Sequence, residues 1–571
     1  MKKLLVYLKN YKKQCVLAPL FKMLEACFEL FIPIVVASII DVGIANGDVS
    51  HIVWCCVIMV ALGAIGLTCT LIAQYLSAYC AVGFTSSVRH GLFSHISTLS
   101  YKEIDNLGTS TLITRMTSDM NQVQTGINLT LRLFMRSPVI VFGAMIMAFI
   151  VDVRASLVFV VTIPLLCAVV FGIILSTIPL YKKVQGKLDR VLTTSRENLS
   201  GVRVIRAFGL NENQKDKFHA QTSELSYAQR FVGKISAIMN PATYAIVNIS
   251  IALLIWRGAI RVDTGNLTQG QVIALYNYMS QILIELIKLA NLIVTITKAV
   301  ACGNRIEAVL EVAPSQSGGE KRELDNHTLE FKNVFLRYNG SPEYALEDIS
   351  FTAAPGESIG IIGGTGSGKT SLINLIGRFY DAEKGQILLG GDSIEKYDLE
   401  FLREQIGVVP QKAVLFRGSV RDNLKWGNKN ATDEEILSAI DASQATDVLA
   451  SKKEGLDFMV EEGGKNLSGG QRQRYTIARA LVKKPKLLIL DDSASALDYR
   501  TDARLRQAIS SLDFKPTTFI VSQRTSSIMG CDKIIVLDDG KIAGIGTHRS
   551  LLEICDVYRE IYQSQFKEEI Q

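Results

Sequence analysis

The sequence lacks the features of several protein classes. Its ten cysteines include no Cys-x-x-Cys pair, and seven of them precede residue 170 within apolar runs. Cysteines in that setting are small buried hydrophobic residues rather than metal ligands or disulfide partners. The formal net charge is only +6, and the basic residues form no cluster on a soluble stretch. No nucleic-acid partner is therefore expected.

The chain combines an apolar half with an ordinary globular half. At 571 residues it is too long for a single hydrophobic core, so two or more domains are expected. Its mean hydropathy of +0.24 is high for a soluble protein but too low for a bundle made only of membrane helices. Residues 52–88 contain no charged side chain at all.

The N-terminal half predicts six membrane helices behind a basic start. Lysines lie among apolar residues in the first 14 positions, which indicates an amphipathic helix on the cytoplasmic membrane surface. A cleaved signal peptide is disfavoured, because Lys22, Glu25 and Glu29 interrupt the next apolar run. Several helical patterns continue past the length that a bilayer requires, so long cytosolic extensions are expected. The predicted membrane helices cover roughly residues 15–40, a part of 52–88, 137–151, 155–181, 235–256 and 269–296.

The distribution of basic residues predicts the orientation. The short links near residues 41–50, 152–154 and 257–266 contain three basic residues between them, whereas the long links 89–125 and 182–234 contain many. Positive residues stay on the cytoplasmic side. The long links, both chain ends and the second domain are therefore expected in the cytosol, with the protein in the plasma (cytoplasmic) membrane.

Charged side chains inside two of the predicted membrane helices have two interpretations. Lys22, Glu25 and Glu29 fall within an arc of ~60° on one helix face. Glu285 and Lys288 repeat the three-residue spacing in the sixth helix. These groups could line a wet cavity, in which case Glu25 and Glu29 would favour cationic, amphipathic substrates. Alternatively, each lysine could simply pair with the glutamate three residues away.

A polar segment separates the membrane helices from a soluble domain. Pro314, Ser315, Ser317, Gly318 and Gly319 mark this linker. The sequence therefore predicts a membrane domain at residues 1–312, a linker at 313–327 and a nucleotide-binding domain at 328–571.

A phosphate-binding loop is the strongest motif of the soluble domain. A buried-strand pattern at residues 358–362 precedes the glycine-rich loop, and a helical pattern follows it. Loop N–H groups and the helix N-terminus would bind phosphate oxygens. Lys369 would reach the β and γ phosphates of ATP, and the Thr370 hydroxyl would hold Mg²⁺. The loop residues expected at the nucleotide are Gly363, Gly364, Thr365, Gly366, Ser367, Gly368, Lys369, Thr370 and Ser371.

Other motifs add to this site. The apolar run that ends in Asp491 predicts a central parallel strand whose carboxylate reaches the Mg²⁺ region, and Asp492 follows where a base for the attacking water would lie. Tyr338 is a candidate platform for the adenine ring, or alternatively a core tyrosine.

Ser468-Gly469-Gly470 before a helical pattern predicts a second anion-binding helix N-terminus. Two domains that face each other would need such a second cradle, so a dimer with ATP at its interface is expected.

These motifs together resemble those of the ATP-binding cassette (ABC) transporter family. The P-loop, Gln411, the stretch Leu467–Gln471, Asp491 and the stretch Ser495–Asp498 occur in the family's order behind six membrane segments. The resemblance covers nearly the whole chain and implies a half-transporter of the exporter type. Its fold would be an α-helical membrane domain of six transmembrane helices with long cytosolic extensions, fused to an α/β P-loop NTPase domain.

The resemblance also implies roles for individual residues. Gln411 would sense Mg²⁺ and contact coupling helices, and Glu462 would contact the partner's coupling helix. Residues 199–208 resemble the stretch before the second coupling helix of such exporters. The remaining positions expected at ATP, of this subunit or its partner, are Ser468, Gly469, Gly470, Gln471 and Asp498, and the implied metal site comprises Thr370, Gln411 and Asp491.

Two positions depart from the family pattern. Family members usually carry Glu where this chain has Asp492 and His where it has Gln523. Aspartate is one methylene shorter, which moves its carboxylate back by roughly 1.5 Å. Glutamine cannot carry the positive charge available to histidine. The chain therefore resembles the subunit of a bacterial heterodimeric exporter whose own ATP site is degenerate.

Several alternatives remain open at this point. The chain could form a homodimeric exporter with two weak sites, or it could be an ATP-gated channel or regulatory subunit. A soluble P-loop kinase or GTPase is excluded by the six apolar segments. The expected partners are a second half-transporter carrying the consensus Glu and His, the lipid bilayer, and an amphipathic small molecule or peptide as substrate.

Overall fold

The chain folds as two compact units. The first comprises Met1–Ser97 with Thr109–Val312, and the second comprises Thr98–Gly108 with Ala313–Gln571. The short segment 98–108 thus packs with the second unit, a grouping that the sequence did not indicate. The computed structural model describes residues 3–316, 318–320, 324, 326–493 and 495–566. The predicted linker, including Ser317, lies partly outside these described residues.

Long α-helices form most of the first unit, and the short helix Tyr101–Leu107 within the same stretch of chain belongs to the second unit. The predicted amphipathic segment is a 3-10 helix, Leu4–Tyr11, that runs directly into the first α-helix, and π-helical turns occupy Ile39–Ile44 and Arg115–Asp119. The α-helices before the second domain are α1 (Lys12–Ser38), α2 (Val49–Thr98), α3 (Tyr101–Leu107), α4 (Thr109–Thr114), α5 (Met120–Leu133), α6 (Arg136–Val151), α7 (Val153–Ser200), α8 (Val202–Ala207), α9 (Asn211–Ala237), α10 (Met239–Asp263) and α11 (Gln269–Leu310).

Six continuous helical stretches of the described chain are long and apolar enough to cross a membrane. Each extends at one end or both beyond the apolar core that the sequence marked, and α2 alone has 50 residues. A helix of that length spans about 75 Å, more than twice the ~30 Å of a bilayer core. The six stretches are Leu4–Ile44, Val49–Thr98, Thr109–Val151, Val153–Ser200, Asn211–Asp263 and Gln269–Leu310.

Local sequence accounts for how these helices begin and pack. The Asp152 side chain accepts a hydrogen bond from the Ala155 N–H at 2.6 Å and so caps α7. Thr268 and Gln271 form a capping box at the start of α11. Small residues let the helices approach closely, because a Cβ on Gly126 of α5 would lie 2.2 Å from the Ala299 Cβ of α11.

Strands and short helices form most of the second unit. The strands are β1 (Leu329–Leu336), β2 (Leu346–Ala353), β3 (Ser358–Gly363), β4 (Lys384–Leu389), β5 (Asp392–Ser393), β6 (Ile406–Val409), β7 (Gly418–Ser419), β8 (Met459–Val460), β9 (Leu487–Asp491), β10 (Thr517–Val521), β11 (Lys533–Asp538) and β12 (Lys541–Gly546). The α-helices are α12 (Lys369–Ile376), α13 (Leu399–Glu404), α14 (Val420–Lys425), α15 (Asp433–Ala442), α16 (Thr446–Ala450), α17 (Gly469–Val482), α18 (Tyr499–Ser510), α19 (His548–Ile554) and α20 (Asp556–Gln565).

A central sheet organises this unit. Its strand order is β12-β11-β3-β10-β9-β6, and all neighbours are parallel except β12, which runs antiparallel to β11. A second, antiparallel sheet has the order β2-β1-β4-β5. Every residue of β9 is buried, as expected for a strand covered on both faces. The result is the α/β domain that the sequence predicted.

Candidate functional site

The carboxyl ends of four parallel strands meet at one edge of the central sheet. In the strand register, Val521 of β10 pairs with Asp491 of β9 on one side and with Ile361 of β3 on the other. Gln411 follows the end of β6, the next strand after β9. Ligands of open α/β sheets bind at this edge. The topology therefore brings together the P-loop, Asp491, Asp492, Gln411 and Gln523, which are far apart in sequence.

The P-loop connects β3 to the N-terminus of α12, as predicted. Gly366 and Gly368 have φ values of +85° and +97°, which only glycine adopts without strain. A Cβ on Gly363 would lie 2.2 Å from the Leu537 carbonyl oxygen. Gly364, Thr365 and Gly366 are exposed at the top of the loop, with Thr370 exposed at the helix start. These constraints explain the glycine spacing and leave the loop open to a ligand.

Lys369 lies across the mouth of the loop. Its Nζ donates hydrogen bonds to the Gly363 carbonyl oxygen at 2.8 Å and to the Gly364 carbonyl oxygen at 2.5 Å. Burial lowers the pKa of this ammonium group, and the carboxylates of Asp492 and Asp491 act against that shift. The ammonium group is thus held where phosphate oxygens would contact the loop.

Two consecutive aspartates end β9. Asp491 is only 6% exposed, and burial together with repulsion from Asp492 raises its pKa to about 6. Asp492 has a φ of +45°, a left-handed conformation that costs energy in a residue other than glycine. Its N–H donates to the Val521 carbonyl oxygen at 2.9 Å, which holds it in place. Strained residues of this kind concentrate at functional sites.

The donor set at this edge fits Mg²⁺. Burial beside a second carboxylate makes Asp491 a group that a cation would stabilise. Hydroxyl, carboxylate and amide oxygens are the ligands that Mg²⁺ prefers, and substrate phosphates usually complete its coordination. Thr370, Asp491 and Gln411 supply one oxygen of each kind at the sheet edge.

Gln523 follows β10 and is exposed. Its backbone carbonyl oxygen accepts a hydrogen bond from the Gln565 side chain at 2.7 Å. The same Gln565 side chain accepts hydrogen bonds from the N–H and the hydroxyl group of Thr525, each at 2.9 Å. The backbone on both sides of Arg524 is therefore fixed by α20, and Gln523 itself is exposed at the surface.

Tyr338 contacts the helix that follows the P-loop. Its hydroxyl group donates to the Ser371 hydroxyl oxygen at 3.1 Å, and its ring packs edge-on against Tyr380 with the centroids 5.0 Å apart. The ring is half-buried. The contact with Ser371 places Tyr338 next to the P-loop helix, where it retains both of its predicted interpretations.

The second predicted cradle forms the N-terminus of α17. The Ser468 side chain accepts from the Gln471 N–H at 3.3 Å, and the Gln471 side chain accepts from the Ser468 N–H at 3.0 Å. Ser468 and Gly469 are exposed, and a Cβ on Gly470 would lie 3.0 Å from the Ala496 carbonyl oxygen. The first turn of this helix, where N–H groups lack intrahelical acceptors, therefore lies at the surface.

Asp498 is a helix cap. Its carboxylate accepts a hydrogen bond from the Thr501 N–H at 3.1 Å at the start of α18, and that bond lowers its pKa. The Ser495 hydroxyl group donates to the Asp492 carbonyl oxygen at 2.7 Å, so this segment is tied to the aspartate pair. Glu462, which the resemblance assigns to a partner contact, is exposed at the surface.

Sequence reasoning missed a charged residue at the centre of the membrane unit. Arg136 donates to Glu285 at 2.5 Å and to Glu29 at 2.7 Å, and its Nε lies 3.6 Å from a Glu25 oxygen. The arginine begins α6 and precedes the predicted apolar run 137–151 by one residue, so the hydropathy pattern places it outside the membrane. Its position directly before that run was the signal that could have found it.

The predicted lysine–glutamate pairs also form. Lys22 donates to Glu25 at 2.5 Å, and Lys288 donates to Glu285 at 2.8 Å. With Arg136 and Glu29, these residues make a cluster of three cations and three carboxylates that joins α1, α6 and α11. We refer to Lys22, Glu25, Glu29, Arg136, Glu285 and Lys288 as the charge cluster.

The sequence also missed the contacts of α3. The Tyr380 hydroxyl group donates to the Asp105 carboxylate, and the Tyr101 ring lies 4.9 Å from the Phe379 ring between centroids. Tyr380 in turn contacts Tyr338, so aromatic rings connect α3 to the candidate adenine platform. Nothing in the local sequence of residues 101–107 indicates these long-range partners.

The fold and this site define a membrane-embedded P-loop ATPase, and comparison with known proteins supplies its family. A family model described as the ABC transporter transmembrane region matches residues 15–286, and one described as ABC transporter matches residues 346–495. The chain belongs to the ABC transporter family, whose ATPase domain couples ATP hydrolysis to transport.

Relatives in this family cover the chain from end to end. An uncharacterised ABC transporter ATP-binding protein of Bacillus subtilis, YfiB, is 34% identical over 100% of this chain and 99% of its own length. A Colwellia psychrerythraea protein named ATP-dependent lipid A-core flippase 1 is 28% identical over 99% of this chain and 96% of its own. The solved structure of a bacterial Atm1-family ABC exporter with ATP bound has the same fold, with a TM-score of 0.81, 22% identity and 99% of both chains covered.

Proposed function

We propose that this chain is one subunit of an ATP-driven exporter and pairs with a second, different half-transporter. In this proposal its own ATP site binds nucleotide but hydrolyses it slowly, while its exposed α17 N-terminus completes the partner's site. The observation that carries the proposal is an intact set of binding groups beside two altered groups, Asp492 and Gln523, at the water-activating positions.

The phosphate-binding residues of the site support the proposal that this chain binds ATP together with Mg²⁺. The ammonium group of Lys369 would contact the β and γ phosphates, and the P-loop N–H groups would surround them. Thr370, Gln411 and Asp491 would hold Mg²⁺, which supplies charge neutralisation on the phosphates when bound. Tyr338 would stack on the adenine ring.

The residues at the water-activating positions support the proposal that this site hydrolyses ATP slowly. A base at position 492 must orient and polarise the attacking water, and the shorter aspartate keeps its carboxylate farther from that water. Misplacement by about 1 Å can cost on the order of 10²-fold in rate. Gln523 adds a hydrogen bond but no positive charge toward the γ-phosphate.

The exposed N-terminus of α17 supports the proposal that a second subunit binds this chain. One nucleotide does not require two phosphate cradles within one domain, and Ser468 and Gly469 face outward. A second half-transporter would present its γ-phosphate to them. The distribution of basic residues supports an orientation with the nucleotide-binding domain and both chain ends in the cytosol. An amphipathic small molecule or peptide is the proposed substrate class.

The test is ATP hydrolysis by the purified chain in lipid vesicles, alone and mixed with a candidate partner that carries Glu and His at the two altered positions. We expect the chain alone to bind ATP with feeble turnover, and the mixture to hydrolyse ATP robustly. Robust hydrolysis by the chain alone, abolished by Lys369→Ala, would refute the heterodimer and favour a homodimer. ATP-dependent ion currents without stoichiometric hydrolysis would favour a channel.

A further inference from the structure

In the part of the chain that the structure describes, two arginines of the membrane unit have no side-chain partner. Arg154 lies in the N-terminal turn of α7 and Arg257 lies in the last two turns of α10, and both are exposed. Within the described residues, neither guanidinium group makes a hydrogen bond or an ion pair. The third basic residue of the same short links, Arg261, is accounted for, because it donates to the Asp152 carboxylate at 2.6 Å.

Two side-chain contacts fix how α7 and α10 align. Asp152 pairs with Arg261 at one end, and the Thr162 hydroxyl group donates to the Ser250 hydroxyl oxygen at 2.8 Å farther along. The helices run antiparallel between these contacts, so Arg154 and Arg257 fall at the same level. Two exposed positive charges at the same level of neighbouring apolar helices attract an anion.

An apolar groove begins at this arginine pair. Arg154 and Arg257 line a cavity of about 460 Å³ that continues between the two helices past Val161, Leu165, Ile249 and Leu253. These four side chains are exposed, with Val161 70% and Ile249 62% accessible. The lining thus changes from charged at one end to mainly apolar along the rest, where Thr162 and Ser250 are the polar members.

The dimensions of the groove match one leaflet of a bilayer. From Arg154 to Leu165 the helix rises about 16 Å, which equals roughly half of the ~30 Å hydrocarbon core. A ligand with a negative headgroup at the arginines would therefore place its chains beside the apolar lining and end near the bilayer midplane. Arginine binds phosphate oxygens with paired hydrogen bonds.

We propose that the groove between α7 and α10 is a binding site for an anionic phospholipid of the surrounding membrane. Its phosphate and headgroup contact Arg154 and Arg257, and one acyl chain occupies the groove lined by Val161, Leu165, Ile249 and Leu253. The groove lies between two helices that are long and apolar enough to cross a membrane, its arginines complement an anionic headgroup in charge, and this lipid site is additional to the proposed transport function.

The experiment compares lipids that differ only in headgroup charge. The full-length protein is purified from nanodiscs containing equal amounts of phosphatidylglycerol and phosphatidylcholine with identical chains, and retained lipid is counted by native mass spectrometry. We expect wild type to prefer phosphatidylglycerol by about tenfold, the effect of one charge-assisted contact. Arg154→Gln with Arg257→Gln is expected to reduce this preference to about twofold or less.

Matched variants distinguish the effect of the arginine charges from that of acyl-chain binding and from loss of folding. Lys182→Gln with Lys183→Gln removes two exposed cations from the same helix away from the groove and should retain the preference. Arg154→Lys with Arg257→Lys keeps the charge and should retain most of it. Ile249→Trp fills the groove and should reduce binding of both lipids without changing either arginine. Size-exclusion profiles confirm that each variant is folded.

Four outcomes would overturn the proposal. The first is equal retention of the two lipids by wild type, and the second is an unchanged preference in the double glutamine variant. The third is release of phosphatidylglycerol by inorganic phosphate alone, which would mean that the arginines bind a free anion. The fourth is wild type that retains no lipid, which would indicate that a second protein chain covers the groove.

Discussion

The side-chain nitrogen of Gln411 lies 3.5 Å from a carboxylate oxygen of Asp492. That distance is at the limit of a hydrogen bond, so the contact holds the carboxylate only weakly. The parallel pairing of β6 with β9 places a predicted Mg²⁺ ligand beside the position that is proposed for the water-activating base. Burial raises the pKa of Asp492, and Gln411 and Arg524 act against that shift.

Restoring the family residues at this edge should restore hydrolysis. Asp492→Glu extends the carboxylate by one methylene, and Gln523→His adds a side chain that can carry positive charge. We expect the double variant to release phosphate from ATP about tenfold faster or more, since about 1 Å of misplacement can cost on the order of 10²-fold. Adding Lys369→Ala should abolish the gain. A double variant no faster than wild type would mean that these two residues do not limit the rate.

The two ATP sites of the proposed complex should respond differently to substitution. Asp492→Asn removes a base that is already poorly placed in the proposed function, so hydrolysis by the complex should change little. Ser468→Arg blocks the α17 N-terminus, which is proposed to bind the partner's ATP, and the loss of hydrolysis could reach roughly 10²–10³-fold if a contact to the transition state disappears. Steady-state ATP hydrolysis by the reconstituted complex distinguishes them. If both variants were equally inactive, this chain's own site would be catalytically competent.

Sequence reasoning reached the fold because each element has a strong local signal. The six apolar runs predicted the membrane helices, and the strand–loop–helix pattern around Lys369 predicted the nucleotide domain. Helix ends were less accurate: α2 continues to Thr98, ten residues past the apolar run, because polar helices carry no hydropathy signal. The residues of the ATP site follow strand ends, and parallel strands place such residues together regardless of their separation in sequence.

The contacts that could not be predicted from the sequence join side chains that lie far apart along the chain. Arg136 contacts Glu29 and Glu285, which lie 107 and 149 positions away. The partnership between Tyr380 and Asp105 likewise has no local signature. Such contacts are selected by the tertiary fold, whereas the i, i+3 pair of Lys22 and Glu25 could be anticipated from helix geometry alone.

Tyr338 should contribute to ATP affinity through its ring. Tyr338→Ala removes the proposed stacking surface and should weaken ATP binding by roughly three- to tenfold, the effect of one aromatic contact. Tyr338→Phe keeps the ring while losing the hydrogen bond to Ser371, so its affinity should remain near that of wild type. Isothermal titration of ATP into each purified variant measures the Kd. Tight binding by a well-folded Tyr338→Ala variant would leave the tyrosine a purely structural role.

The charge cluster should determine which substrates the membrane unit accepts. Glu29 is the most exposed of its three carboxylates, with 35% of its side chain accessible against 15% for Glu25 and 4% for Glu285. The cluster is formally neutral, because three cations balance three carboxylates, and Arg136 already engages both Glu25 and Glu29. A cationic substrate would therefore have to compete with Arg136 for Glu29.

The test is a double replacement, Glu25→Gln with Glu29→Gln, in reconstituted vesicles. It leaves Arg136 with Glu285 alone and gives the cluster two excess positive charges. Uptake of a cationic dye should fall while uptake of a neutral dye continues, because a cation is then repelled where an uncharged molecule is not. Glu212→Gln with Asp216→Asn removes two exposed acidic residues of α9 and should change neither rate. If the two dyes lose transport together, or neither changes, Glu25 and Glu29 serve only to hold α1 against α6 through Arg136.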